Sequence, residues 1–192
     1  MELIVVDGID GSGKSTVAEW LADHYRRRGE TVLVRTHPSS SIFGRLTRRA
    51  LASEGRAMRA LASILFIADV LHSLHLLRSW KGYDKVIFVR YIMAVAYLPG
   101  SLYKQGYELF SKVLLVPPRL LLVDVPPECA LRRIEGREHA REMFENLESL
   151  QKVRGRVLTL SSQGWKVLDN CGPMDETRSQ LERVLSEWDG PS

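Results

Sequence analysis

A glycine-rich segment near the start of the chain, GIDGSGKST at residues 8–16, constrains the fold more than any other feature. It fits the pattern G-x-x-x-x-G-K-[ST] in full. Glycines allow a tight loop whose backbone N–H groups converge on an anion, and a following helix adds partial positive charge. An apolar run at residues 3–6 precedes the loop and an amphipathic stretch follows it. This strand–loop–helix context predicts a site for nucleotide phosphates.

The residue types in the loop indicate which groups it would bind. We expect Lys14 to reach the β- and γ-phosphates of ATP or a close relative, and the Ser15 hydroxyl to ligate Mg²⁺. The predicted cofactors are therefore ATP and Mg²⁺. The residues expected to contact the nucleotide are Gly8, Ile9, Asp10, Gly11, Ser12, Gly13, Lys14, Ser15 and Thr16.

Short β-rich runs alternate with helical patterns along the whole chain, which is typical of a parallel sheet covered by helices. The first helix is expected at residues 14 to about 28, with Gly29 at its C-terminal end. The last begins at about residue 175. We predict a single α/β domain over residues 1–192 with the three-layer fold of P-loop NTPases: a five-stranded parallel sheet, helices on both faces, and a helical lid. The predicted strands cover residues 3–6, 31–34, 86–89, 120–125 and 165–168, and the third is expected to be central.

Arginines outside the loop could supply the further cations that phosphoryl transfer requires. Arg90 follows the third strand at its carboxyl end, where open α/β sheets place their ligands. The segment at residues 132–156 is dense in charge and is interpreted either as a solvated surface helix or as a mobile lid. On a continuous helix, Arg133, Arg137 and Arg141 would lie close to one face, at i, i+4 and i+8.

Composition excludes some partners. The net charge of +4 is too small to indicate nucleic acid binding, although 20 of the 27 basic residues are Arg, which suits phosphate as a ligand or reflects a general bias. The longest apolar stretch, residues 61–77, contains Asp69 and two histidines and falls short of a bilayer span. With two cysteines and no apparent leader, we expect a cytoplasmic protein that does not contact a membrane.

Three further motifs resemble the thymidylate kinase family of nucleoside monophosphate kinases. The loop VVDGIDGSGKST is followed by LLLVDVPPECALRRIEGRE, similar to the family's strand, double proline and lid entry, and by REMFENLESLQKVRGRV, similar to its lid exit; GWKVLDN matches its last strand. The resemblance covers residues 2 to about 185. It implies transfer of the γ-phosphoryl group of MgATP to dTMP, giving dTDP and ADP, by a homodimer.

The resemblance also assigns roles to single residues. Asp10 takes the family's acidic position in the loop, and Gly11 stands where some members have a basic residue, so the resemblance assigns that cation to the lid. Phe66 matches the aromatic that stacks on thymine, although helical periodicity alone favours a core residue. The implied catalytic residues are Lys14, Asp10, Arg90, Arg137 and Arg141; Arg133 is assigned to ATP, and Phe66, Arg90, Tyr91, Pro38 and Tyr97 to the acceptor.

Three positions depart from the family pattern. Val89 stands where the family has an Asp, Val70 where it has an Arg for the base, and the acceptor-phosphate loop reads THPSSSIFGR, with His37 before its proline. These departures leave three alternatives open: a different nucleotide as acceptor, a nucleoside as acceptor, or a nucleotide-binding protein that has lost turnover.

Three other features keep more than one interpretation. His72 and His75 are interpreted as partly buried structural residues rather than metal ligands. Asp124 either pairs with a lid arginine, lies near the metal, or is structural. The apolar helix at residues 61–77 is either central in the monomer or part of a dimer interface.

Overall fold

Five parallel strands form one sheet in the computed structural model, which describes residues 1–53, 55–98, 100–136 and 146–190. The strand order is β2-β3-β1-β4-β5. The predicted parallel sheet is confirmed; β3 is an interior strand, while β1 occupies the middle of the five. The strands are β1 (Glu2–Asp7), β2 (Val32–Thr36), β3 (Lys85–Val89), β4 (Arg119–Asp124) and β5 (Lys166–Asp169).

The second strand differs most from its prediction. Thr31 was expected to begin it, but its backbone N–H and its hydroxyl both bond to the Asp84 carboxylate, at 2.8 Å each. The strand instead extends through the polar residues Arg35 and Thr36, which pair with Phe88 and Val89 of β3. This extension brings the segment after β2 to the carboxyl edge of the sheet.

Helices cover both faces of the sheet, as predicted. One apolar cluster joins the sheet to α1 and α7, and it includes Leu21 and Leu185. A second cluster fills the other face, where Tyr107 and Leu150 are fully or nearly fully buried. The helices are α1 (Lys14–Arg27), α2 (Ile42–Leu51), α3 (Arg56–Leu76), a 3-10 helix (Ile92–Tyr97), α4 (Leu102–Val113), α5 (Pro127–Glu135), α6 (Leu147–Ser161) and α7 (Met174–Asp189).

The charged segment at residues 132–156 is not one continuous helix. Helix α5 ends at Glu135 with Gly136 as its C-terminal cap, and α6 begins at Leu147. The expectation of a single face at i, i+4 and i+8 is therefore wrong, because the helix ends before its second arginine. Arg137 and Arg141 lie outside the described residues.

Helix α3 carries polar groups inside and apolar groups outside. Asp69 and Ser73 are fully buried, while Ile64 is 64% exposed. His72 is half-buried against Phe43, as expected, but His75 is exposed. Within the described part of the chain, no group of three His, Cys, Asp or Glu side chains could hold a metal ion, and no helix has the length and apolar character to cross a membrane.

Candidate active site

The phosphate loop connects the end of β1 to the start of α1. Gly13 caps the helix in a left-handed conformation with φ 86°, and the Ser12 N–H bonds to the Ile9 carbonyl at 3.2 Å. The Lys14 ammonium donates to the same Ile9 carbonyl at 3.0 Å and lies 3.6 Å from the Asp10 carboxylate. The lysine is thus held across the loop, with the amino end of α1 beside it.

Helix α5 packs directly against this loop at Gly11. A Cβ atom on Gly11, whose φ is 77°, would lie 2.5 Å from the carbonyl oxygen of Ala130. No real Cβ contact is so short, so the packing of α5 excludes any side chain at this position. This close approach explains why residue 11 is a glycine and not a basic residue.

Two side chains from distant parts of the chain support the loop from outside. The Asn170 side-chain amide donates to the Ser12 carbonyl at 2.7 Å. Arg133 donates to the same carbonyl at 3.4 Å and to the Asn170 carbonyl at 2.6 Å. Arg133 therefore lies at the loop, and its assignment to ATP stays a prediction. Asn170 is not among the residues predicted from the sequence; its position directly after β5, at the carboxyl edge of the sheet, was the available signal.

Asp10 is the centre of the polar cluster on the other side of the loop. It is 4% exposed, forms an ion pair with Arg90, and accepts a hydrogen bond of 2.8 Å from the Tyr97 hydroxyl. Burial, followed by the negative charge of Asp10, raises the pKa of Tyr97 well above its ordinary value. Tyr97 therefore stays a neutral hydrogen-bond donor at physiological pH.

A second buried carboxylate, Asp7, was not singled out from the sequence. It ends β1, is 1% exposed, and accepts hydrogen bonds from the backbone N–H groups of Tyr91 and Met93 at 2.8 and 3.1 Å. Burial raises its pKa, although these hydrogen bonds and the charge of Lys14 oppose the rise. Asp7 thus ties the start of the phosphate loop to the segment after β3.

One cavity lies beside the loop and collects four of the five residues assigned to the acceptor. Phe66, Arg90, Tyr91 and Tyr97 all line it. The Tyr91 hydroxyl is bonded to the Leu115 carbonyl at 3.0 Å, so this polar group is engaged within the protein. Most of the remaining wall is apolar. The other lining residues are Asp10, Thr47, Leu51, Ala62, Ser63, Ile67, Val70, Ile92, Ala94, Val95, Leu98, Phe110 and Leu114.

Pro38 does not line this cavity. Its carbonyl instead accepts a hydrogen bond of 2.7 Å from Arg48 on α2. The serines that follow Pro38 are also engaged within the protein: Ser39 and Ser41 both donate to the Asp69 carboxylate, at 2.5 and 2.6 Å. Burial disfavours the ionised carboxylate, but these hydrogen bonds outweigh it and lower the pKa of Asp69. Ser39 and Ser41 are therefore structural.

The two valines that depart from the family pattern have separate locations. Val70 is 3% exposed and lines the cavity, which makes this wall apolar where the resembling family has a guanidinium. Val89 is fully buried in the apolar cluster below α1 and α7. It cannot ligate a metal or accept a proton.

Asp124, at the end of β4, pairs with an arginine of α6. Arg154 donates to both of its carboxylate oxygens, at 2.9 and 2.8 Å. Arg154 lies in the charged segment at residues 132–156, so of the alternatives left open for Asp124 the structure shows pairing with an arginine of that segment. The contact anchors α6 to the sheet.

The loop residues fit a magnesium nucleotide. Mg²⁺ is usually held by one or two protein oxygens together with phosphate oxygens and water. The Ser15 side chain is exposed at the start of α1, and Ser12 Oγ is buried without a hydrogen-bond partner among the described residues. Ser15 would hold the ion, which neutralises phosphate charge when bound.

Comparison with known proteins decides the family. The model of the thymidylate kinase family matches residues 6–181, which is most of the chain. The chain belongs to the thymidylate kinase family. Relatives include a probable thymidylate kinase of Archaeoglobus fulgidus, 30% identical over 97% of this chain and 95% of that protein, and one of Pyrobaculum calidifontis, 33% identical over 95% and 94%. A thymidylate kinase of Bordetella petrii is 29% identical over 95% and 93%.

Thymidylate kinases thus resemble this chain over nearly its full length, and the resemblance noted from its motifs is confirmed. The family-model match includes the end of β1, the phosphate loop and the segment from α5 to the start of α7. The positions of Val70, Val89 and His37 also lie within the match. They are local departures inside a family member.

Proposed function

We propose that this protein transfers the γ-phosphoryl group of ATP to a nucleoside monophosphate, with dTMP as the preferred acceptor, giving ADP and dTDP. The observation that carries the proposal is a cavity that joins Asp10 of the phosphate loop to Phe66, Arg90 and Tyr97. This arrangement supports an aromatic-lined site for a base next to the site for the transferred phosphate. The printed names of the relatives support the same reaction.

The donor end uses the phosphate loop. Its N–H groups and Lys14 would neutralise the β- and γ-phosphates, while Ser15 would hold Mg²⁺. Arg133 lies against the loop and is proposed to contact the donor nucleotide. Arg137 and Arg141, outside the described residues, remain proposed as sources of the cation that Gly11 does not provide.

At the acceptor end, ring surfaces and two polar side chains would bind the monophosphate. Phe66 is proposed to stack on the base, with Tyr91 forming another part of the wall. Arg90 carries the positive charge nearest Asp10 and is proposed to bind the acceptor phosphate. The Tyr97 hydroxyl, bonded to Asp10, holds that carboxylate in place.

A monophosphate fits this site better than a nucleoside. A hydroxyl acceptor requires a carboxylate that takes its proton, as in protein kinases. Val89 cannot do so, and Asp10 is ion-paired with Arg90. An acceptor phosphate is already ionised at neutral pH, so its oxygen needs no base. Transfer then depends on position and charge neutralisation, which the described cations supply.

We further propose that the enzyme is a cytoplasmic homodimer. Leu61, Ile64 and Leu71 are 43%, 64% and 46% exposed, and their spacing of three and seven residues places them along one stripe of α3. The 3- and 7-residue spacing is that of a seam between two helices, which a second copy of α3 would complete about a two-fold axis.

A panel assay tests the reaction. Purified protein with MgATP is offered dTMP, dUMP, dCMP, dAMP, dGMP and thymidine, and ADP release is measured. We expect dTMP to be phosphorylated fastest and Lys14→Ala to lose at least 100-fold in kcat, while Lys81→Ala, at an exposed lysine, keeps wild-type activity. If the protein binds ATP but phosphorylates no monophosphate, the proposed function is wrong and the protein is a nucleotide-binding protein. If it phosphorylates thymidine alone, it is a nucleoside kinase.

A further inference from the structure

The backbone at Arg90 has an unusual conformation. Its φ is 65°, and it is the one non-glycine residue with positive φ in the part of the chain that the structure describes. A side chain in this left-handed region is strained and persists only where the surrounding structure holds it. The conformation turns the chain at the end of β3 and directs the Arg90 guanidinium to Asp10 in the phosphate loop.

Hydrogen bonds hold the peptide groups on both sides of Arg90. Its own N–H donates to the Val6 carbonyl at 3.1 Å. The next N–H, that of Tyr91, donates to Asp7 at 2.8 Å. The carbonyl of Arg90 lies 3.1 Å from Nδ1 of His37. Val6 and Asp7 belong to β1, the strand that leads into the phosphate loop. His37 contacts Arg90 from the segment after β2.

The hydrogen bonds of His37 determine its tautomer. A carbonyl oxygen can only accept, so Nδ1 must carry the proton that bonds to Arg90. Nε2 lies 2.9 Å from the Ser73 hydroxyl and accepts from it, since Ser73 receives its own hydrogen bond from Arg35 at 3.1 Å. His37 is 1% exposed, and burial lowers its pKa to about 4, which agrees with a neutral ring.

His37 does not line the cavity, so it has no direct route to the substrate. Its ring touches the edge of Phe66, at 6.2 Å between centroids, and its backbone N–H bonds to the Val89 carbonyl at 2.9 Å. The ring also packs against Phe88, at 5.2 Å between centroids, so the side chain is held by core residues as well as by residues of the site. The hydrogen bond to the Arg90 carbonyl is the contact that acts on a residue whose charged side chain lies at the site.

We propose that His37 is a positioning residue for phosphoryl transfer: its Nδ1–H holds the Arg90 carbonyl and so keeps the Arg90 guanidinium at Asp10, beside the acceptor phosphate. This inference rests on the proposed function. It gives a role to the histidine that stands before Pro38, which the sequence left unexplained. It also assigns the two ring nitrogens different roles, since Nε2 serves only the link to α3.

Two amide variants separate these roles. In His37→Asn the side-chain amide can take the place of Nδ1 and donate to Arg90, whereas in His37→Gln it can take the place of Nε2 and reach Ser73. Each variant keeps one of the two hydrogen bonds and loses the ring. If the role of His37 is purely structural, the two variants should lose the same thermal stability and the same activity. The positioning role predicts similar stability but unequal activity.

The experiment measures kcat and KM for dTMP and ATP, melting temperature, and the NMR signal of the Arg90 Nε–Hε group, assigned with Arg90→Lys. We expect His37→Gln to lose about 10- to 100-fold in kcat, with KM for ATP within twofold of wild type, and His37→Asn to keep kcat within about threefold. The Arg90 signal should shift or broaden in His37→Gln and stay near its wild-type position in His37→Asn.

Equal kcat in the two variants, or a greater loss in His37→Asn, overturns the positioning role. If the wild-type protein phosphorylates no monophosphate, the proposed function fails, and the Arg90 signal then decides the inference alone. A signal that His37→Gln leaves unchanged overturns it. If His37→Gln is too unstable to assay, Ser73→Ala removes the partner of Nε2 and the acceptor of Arg35 but keeps the bond from Nδ1 to Arg90. It should leave kcat and the Arg90 signal near wild type, and a tenfold loss of kcat overturns the positioning role.

Discussion

Asn170 and Ser12, 158 positions apart in the chain, are joined by a hydrogen bond of 2.7 Å from the side-chain amide to the backbone carbonyl. The bond links the end of β5 to the middle of the phosphate loop. Arg133 reaches the same two residues. The loop conformation therefore depends on the last strand and on α5 as well as on its own glycines.

Replacing Asn170 tests this dependence. Asn170→Ala removes a donor at a position that is 8% exposed and leaves the Ser12 carbonyl with the longer contact to Arg133. We expect the free energy of unfolding to fall by about 1–3 kcal/mol, the cost of a buried unsatisfied group. Urea unfolding measures it. Saturating ATP should recover part of the loss; if the variant is as stable as the wild type without nucleotide, the bond does not support the loop.

Arg133 and Arg132 form a matched pair for the donor site. Arg133 contacts the loop, whereas its neighbour Arg132 is exposed. We expect Arg133→Ala to raise the Kd of a non-hydrolysable ATP analogue about tenfold, equivalent to about 1.4 kcal/mol. Arg132→Ala should leave the Kd within twofold of the wild-type value. Calorimetric titration measures both, and equal effects of the two substitutions would contradict a specific role for Arg133.

Local patterns were sufficient to predict the phosphate loop, the five strands along the chain and the first and last helices. The glycine spacing and the apolar runs are encoded within a few residues, so the sequence shows them directly. The start and end of β2 were not predictable in this way, because its last residues, Arg35 and Thr36, are polar and gain their strand conformation from pairing with β3.

The surroundings of the loop could not be predicted for a related reason. Contacts such as Asn170 to Ser12 or Asp7 to Tyr91 join residues more than 80 positions apart. No periodicity or spacing encodes such a pair. Arg133 was placed at the donor site only by resemblance to a family, and the expected helical stripe failed because α5 ends at Glu135.

The substitution Val89→Asp introduces the carboxylate that the family pattern has at this position and tests whether the fold tolerates it. The side chain is fully buried among apolar residues of the cluster below α1 and α7. We expect Val89→Asp to lower the free energy of unfolding by about 3–5 kcal/mol at pH 7, because it buries an unpaired charge. The isosteric Val89→Thr should cost about 1–3 kcal/mol. Because burial raises the pKa of the new carboxyl, the difference between the two variants should shrink as pH falls; a constant difference would contradict the charge as its cause.

Association of two chains through α3 is tested by a charge on its exposed stripe. Ile64→Glu places a carboxylate at the most exposed apolar position of that helix, and in a two-fold interface each copy would meet its counterpart. We expect sedimentation velocity to show a shift from dimer to monomer. Leu109→Glu, at a position 58% exposed on α4, is the control and should remain dimeric. Dimers that persist in Ile64→Glu would exclude this stripe as the interface.

Acid should destabilise the protein through His37. Burial lowers the pKa of His37 to about 4 in the folded state, against about 6.5 in an unfolded chain. Of the nearby charges, that of Asp69 raises this pKa and that of Arg35 lowers it. The unfolded chain therefore binds more protons between these values, so stability is complete above pH 6.5 and falls as pH decreases toward 4. The loss between pH 7 and pH 4.5 should be about 2 kcal/mol. Urea unfolding of wild type and His37→Asn across this range measures it. The variant lacks the titrating ring, so the two stability curves should converge as pH falls; parallel curves would show that other groups cause the acid sensitivity.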